Sequence, residues 1–206
     1  SPNFMGFPDS GNSIASIAGS LLYNLLQQNI VNHSFCSPSA TFIEIGVIQW
    51  LRNIAGYKQH NINDIWDVGG LVTHGGTSSN TIAMLLAREN KFPGTMEKGV
   101  INPGKCNLVV PFGIGHYSVK SGQMWIGCGN HLIEVKTKDF KYDLDDLKKK
   151  LDTHSSDVMC VIAYAGDART TTFDDFKAIH DIVKSYNENI WLHADACQGF
   201  SVLFND

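Results

Sequence analysis

The stretch "DVMCVIAYAG", residues 157–166, constrains this chain more than any other. After its first residue it is apolar until Gly166, over the length of one strand. A strand with one wet face alternates in polarity; a continuous apolar run belongs to a strand buried on both faces, as in a covered parallel sheet. The flanks agree. Upstream, Asp143 has the chemistry of an N-cap for "LDDLKKKLDTH", where Leu144, Leu147 and Leu151 recur at helical spacing. Downstream, "TTFDDFKAIHDIVKSYNEN" sets Phe173, Phe176, Ile179 and Val183 on one stripe, and "IWLHADAC" reads as the next strand. Earlier still, "CNLVVPFG" has strand composition, "HYSVKSGQMWIG" supplies a helix, and "HLIEVKTK" alternates like a strand. Strands and helices in this alternation predict an α/β fold, a mainly parallel sheet with helices on both faces.

The first part of the chain is more helical. "GNSIASIAGSLLYNLLQQ" and "SATFIEIGVIQWLRNIAG" each carry an apolar stripe, the second opened by Ser37-Pro38, and both stripes are expected in core packing or subunit contact. The expected organisation is a helical part over 1–56 and an α/β part over 57–206. With 206 residues, 43% of them hydrophobic, the chain can bury a large core.

A net charge of -4 offers no footprint for nucleic acid, and Lys148, Lys149 and Lys150 stand beside acidic residues as on a solvated helix face. No apolar stretch reaches membrane-spanning length, and "SPNFMGFPDSGNS" is too broken by Pro, Asp and Gly for a secretory core. The five cysteines (Cys36, Cys106, Cys128, Cys160, Cys197) are odd in number and include no C-x-x-C. That argues against a disulfide framework or structural zinc and for a reducing, cytoplasmic setting.

Three places carry chemistry. Gly75-Gly76-Thr77-Ser78-Ser79-Asn80 is a glycine turn with small hydroxylated residues, expected to lead into a helix from about Thr81. Free N–H groups and hydroxyls at a helix start suit an anion. The sequence is neither a Walker A loop nor G-x-G-x-x-G, and a plain Ser-capped helix is the alternative. His116 follows "VVPFGIG" at the end of a strand, where open α/β sheets bind ligands. His193 and Asp195 lie two residues apart on one strand face. A buried carboxylate there needs a cation or a metal to pair with it. No metal spacing accompanies the pair, so no metal site is expected.

Three pieces in order, "GGLVTHGGTSSN", "GHYSVKSG" and "WLHADACQG", resemble motifs of the group II pyridoxal-phosphate-dependent amino-acid decarboxylases, which include the glutamate, aromatic-L-amino-acid and diaminobutyrate decarboxylases. "SPNFMGFPDSGNS", "SPSATFIEIGVIQWL" and "VIAYAGDARTTTFDDF" resemble their counterparts too, so the similarity runs through nearly the whole chain. The resemblance implies the large domain of a fold-type I PLP-dependent transferase, incomplete at both ends and without the C-terminal small domain. It implies decarboxylation of an L-amino acid to its amine and carbon dioxide, pyridoxal 5′-phosphate as cofactor, and a homodimer. Thr77, Ser78 and Ser79 would hold the cofactor phosphate, and His116 would stack on the pyridine ring. Asp195 would pair with the ring nitrogen, keeping it protonated by an opposite charge at close range. His193 would support the Asp195 strand, and Lys120, although in the motif, is not the Schiff-base lysine. Phe7, Pro8 and Asp9 would border the substrate pocket, where Asp9 favours a side-chain cation such as that of a diamino acid.

This chain departs from the family pattern at three points. Cys197 stands where the family has a small Ala, on the ring face opposite the stacking His. Asp167 and Ala168 replace a Thr pair, one of which reaches the cofactor's phenolic oxygen in relatives. No lysine follows Asp195, whereas the family's Schiff-base lysine comes after the H-x-D motif. The expectation is therefore a fragment of a longer decarboxylase, inactive by itself. Alternatives are a non-catalytic module of the same fold, a pseudoenzyme or assembly subunit, and another reaction on that fold, as in aminotransferases or carbon–sulfur lyases.

Overall fold

A computed structural model of the chain describes residues 12–28, 36–58, 61–186 and 189–204. It divides into two compact units, Ser1–Val72 and Thr73–Asn205.

The first unit holds helices α1, Ile14–Leu26, and α2, Ala40–Ile54. Ser13 caps α1 by accepting the Ser16 N–H at 3.1 Å. The start of α2 is capped from a distance: Gln28 Oε1 accepts the N–H groups of Ser39 and Ala40 at 3.2 and 2.9 Å. Helix α2 buries Ile48, while α1 buries no side chain at all. Of the two roles expected for the α1 stripe, packing into a core is not met within this unit. Residues 68–72 are tied back to α2. Gln49 Nε2 donates to the Val68 carbonyl at 2.8 Å and Arg52 Nη1 to that of Gly69 at 2.9 Å, while the Val72 N–H donates to Glu44 at 2.9 Å.

The second unit contains, in order, α3 (Gly75–Lys91), the short α4 (Thr95–Lys98), β1 (Asn107–Pro111), α5 (Tyr117–Trp125), β2 (Leu132–Val135), β3 (Thr137–Lys138), β4 (Lys141–Tyr142), α6 (Leu144–His154), β5 (Val158–Tyr164), α7 (Phe176–Ser185) and β6 (Trp191–Asp195). The main sheet runs β2-β1-β5-β6 and is parallel throughout. All seven residues of β5 are buried, as its apolar run requires. Side chains alternate between two faces. On one, Leu108, Val110, Cys160 and Ile162 cluster with Met84, Ala87, Val119 and Ile126. On the other, Val109, Val161 and Ala163 cluster with Leu147, Leu151, Ile179 and Val183. Each fully buried Leu or Ile of these helices contributes about 1.5–3 kcal/mol. The α/β fold with helices on both faces is thus the one the sequence predicts.

Two local expectations change. "HLIEVKTK" is not one strand: β2 ends at Val135, and β3 folds back antiparallel onto β4 outside the main sheet. Asp139 and Phe140 make that reversal with positive φ, 49° and 61°. Phe173 is not on the helical stripe; it forms a single bridge with Ala165. The helix starts later because Asp175 caps it, accepting the Ala178 N–H at 2.9 Å.

The strand order fixes where a ligand can sit. From β1 the chain moves outward to β2, then crosses back to β5 and moves outward the other way to β6. The direction reverses between β1 and β5, and the crevice at the carboxyl ends of strands at such a point is the usual ligand position in open α/β sheets. Among the described residues, no helix is long and apolar enough to cross a membrane.

Candidate functional site

Helix α3 begins at Gly75, where φ is +80°, and not near Thr81. The hydroxylated residues therefore lie inside its first turns. They fit there because their hydroxyls bond carbonyls one turn back: Ser78 Oγ to His74 at 3.0 Å, Ser79 Oγ to Gly75 at 3.4 Å and Thr81 Oγ1 to Thr77 at 2.8 Å. Thr73 Oγ1 also hydrogen-bonds Ser79 Oγ. Among the described residues no side chain caps this end. The Gly75 N–H donates to the Thr73 carbonyl at 3.1 Å, and the first-turn N–H groups after it lie at the positive end of the helix dipole, which favours an anion.

His116 is the N-cap of α5. Its Nδ1 lies 2.8 Å from Ser118 Oγ and accepts the Ser118 N–H at 3.2 Å. The loop leading to it, after β1, is held from the side. Gly115 has φ +108°, and a Cβ there would stand 2.4 Å from the Tyr164 hydroxyl oxygen. Asp167 accepts the N–H groups of Gly115, Arg169 and Thr170 at 3.3, 3.0 and 3.1 Å, and the Thr170 hydroxyl at 3.2 Å. Arg169 Nη2 donates to the Gly113 carbonyl at 2.8 Å. Burial alone would raise the Asp167 carboxyl, but these donors outweigh it and hold it below the usual range. Asp167 is thus a turn residue that also ties down the loop bearing His116.

Two residues that carried no expectation join the pieces. Asn80, on α3, and Ser118, on α5, are both buried. Asn80 Nδ2 donates to Ser118 Oγ at 2.7 Å and to Asp195 Oδ2 at 3.3 Å, and its Oδ1 lies 2.8 Å from His193 Nε2. A sequence signal for Asn80 existed. It shares the stripe of Met84, Ala87 and Arg88 on α3, and a polar residue on a buried stripe needs partners. Gly122 of α5 lets the two helices meet, because a Cβ there would stand 3.1 Å from Thr81 Cα.

Asp195 ends β6 opposite Tyr164 of β5. Cys197 follows two residues on, where partial burial of the sulfur and the nearby Asp195 charge push the thiol up. Burial pushes the Tyr164 hydroxyl up, with the Asp195 charge adding to it. Burial lowers His193, against the pull of Asp195. Among the described residues Asp195 has no ion-pair partner. The structure so brings the start of α3, His116, His193, Asp195 and Cys197 to the carboxyl ends of the strands. Phe7 and Asp9 lie outside the described residues.

A model of the pyridoxal-dependent decarboxylase conserved domain matches residues 1–205. A glutamate decarboxylase-like protein of Gibberella zeae is 30% identical over 212 residues, covering 100% of this chain and 38% of the relative. An L-2,4-diaminobutyrate decarboxylase of Acinetobacter baumannii is 28% identical over 187 residues, covering 82% of this chain and 35% of its own length. The crystal structure of mouse CSAD in apo form superposes with a TM-score of 0.82 at 25% identity, over 95% of this chain and 40% of that one. The chain spans less than half the length of each.

Proposed function

The chain belongs to the pyridoxal-dependent decarboxylase family, and on that premise we propose that the full-length protein decarboxylates an L-amino acid to its amine, using pyridoxal 5′-phosphate. The observation that carries the reading is Asp195. Its carboxylate has a neutral donor in Asn80 and no cation among the described residues, so it suits a protonated ring nitrogen. The uncapped start of α3 suits a phosphate by the same test of fit.

In this reading residues 1–56 are a helical part and 57–206 the cofactor-binding part. Thr77, Ser78 and Ser79 hold the phosphate with N–H groups and hydroxyls, the hydroxyls turning from the carbonyls they now bond. His116 stacks on one ring face, its imidazole steadied by Ser118, and Cys197 borders the other. Asp195 keeps a proton on the ring nitrogen. Bound there, the cofactor supplies an electron sink for the carbanion left when carbon dioxide departs. His193 braces Asp195 through Asn80.

Asp9 and Phe7 border the substrate, and Asp9 favours a cationic side chain. We further propose a homodimer, supported by exposed apolar residues on α1 and α2 such as Leu21, Leu25, Phe42 and Trp50. A cytoplasmic setting is supported by the free cysteines. The test is purified full-length protein with pyridoxal 5′-phosphate and a panel of L-amino acids, read as amine formed. Product from at least one amino acid is expected, and none from any rejects the enzyme. Faster turnover of glutamate or aspartate than of every diamino acid rejects the role of Asp9.

A further inference from the structure

The hydrogen bonds around Asn80 leave no freedom in where the protons lie. Its amide nitrogen must face Asp195 and Ser118, since the flipped amide would set oxygen against a carboxylate. Both amide hydrogens are then used, and Oδ1 is left to accept from His193 Nε2, 2.8 Å away. A carbonyl oxygen cannot donate, so the His193 proton sits on Nε2. Ser118 Oγ, already accepting from Asn80, gives its own hydrogen to His116 Nδ1 at 2.8 Å. That nitrogen also accepts the Ser118 N–H at 3.2 Å, so it carries no proton, and the neutral His116 ring bears its hydrogen on Nε2.

We propose that Asn80 is a positioning residue that sets the direction of the Asp195 carboxylate and the proton position on His193, and, by way of Ser118, the proton position and tilt of His116. One buried amide on α3 thus controls groups on β6 and at the start of α5. Its consequence for turnover rests on the reading of the site given above; its consequence for proton positions does not. Burial of Asn80 and Ser118 keeps water from replacing the missing partner if either is removed.

The experiment is long-range ¹H–¹⁵N spectroscopy of the histidine rings in the full-length protein without cofactor, followed by titration with pyridoxal 5′-phosphate. The wild type should show both His116 and His193 with hydrogen on Nε2. Asn80→Leu should leave His193 as a mixture of two ring forms. Ser118→Ala should do the same to His116 while His193 keeps its form. Asn80→Asp keeps an acceptor for His193 but loses both donors. It should weaken cofactor binding by about tenfold or more, the scale of one charge-assisted hydrogen bond, and lower kcat more than it changes KM. If Asn80→Leu does not fold, the isosteric Asn80→Asp and Ser118→Ala carry the test. Hydrogen on Nδ1 of either ring in the wild type overturns the proposal, as does an unchanged His193 ring form in Asn80→Leu or an unchanged His116 ring form in Ser118→Ala. Failure of the wild type to bind pyridoxal 5′-phosphate overturns the functional reading and leaves the proton positions to stand or fall by the spectra.

Discussion

Asp174 and Asp195 lie near the carboxyl ends of neighbouring strands, β5 and β6, and they are held in opposite ways. Asp174 is almost fully buried and accepts backbone N–H groups, from Tyr164 at 2.8 Å and Tyr142 at 3.2 Å. It stitches the β3–β4 hairpin to the main sheet. Burial raises its carboxyl in spite of those two donors. Asp195 is less enclosed, and its hydrogen-bond donor is the side chain of Asn80. A carboxylate bound by backbone has its place fixed by the fold and serves it. One bound by a side chain at an open strand end can be aimed, and keeps room for a further partner of opposite charge.

The contrast is open to breaking, beginning with the largest effect. Asp195→Asn in the full-length protein should cut the proposed decarboxylation on the order of 10²-fold or more while thermal unfolding barely moves; normal turnover would end the distinction. Asp174→Ala should do the reverse. Two buried N–H groups lose their acceptor, so urea unfolding should report a loss of about 2–4 kcal/mol. A smaller effect concerns Cys197. With its thiol pushed up, alkylation at neutral pH should be slower than for an ordinary exposed cysteine, and Asp195→Asn should speed it, as followed by mass spectrometry. The smallest is the pH dependence contributed by His193. Burial makes its folded ring take up a proton less readily than a free imidazole, whose ordinary value is 6.5, so as pH falls through 6.5 the unfolded chain is protonated first and stability drops. Above 6.5 both states are neutral and the contribution vanishes, and in His193→Gln it should vanish at every pH.

The fold was legible because its signals are local. The seven residues of β5 are buried on both sides, and an unbroken apolar run says so without reference to anything distant. Asp143 caps α6 as its position suggests, accepting the N–H groups of Asp145 and Asp146. His116 and Asp195 stand out because each lies at the carboxyl end of a strand. What stayed hidden depends on pairs far apart in the chain. Nothing in the order of residues says that Ser118 will meet Asn80, or that Asp174 rather than Asp175 will reach back to Tyr142. The start of α3 is hidden in the sequence because glycines ordinarily argue for a turn. Here Gly75 takes the positive φ at the boundary, and the hydroxyls after it bond back to carbonyls and let the helix run. The α1 stripe looked like any amphipathic helix, and only the fold shows its apolar residues facing outward.

Gly122 works like a spacer of fixed thickness between two helices. With a hydrogen in place of a methyl group, α5 rests against the backbone of α3 at Thr81, next to the residue that anchors the network. Even alanine would have to wedge them apart by a few tenths of an ångström, and the end of α5 that carries Ser118 and His116 would shift with it. A mutational survey of this protein should therefore find an intolerant position that touches no ligand and has no chemistry of its own.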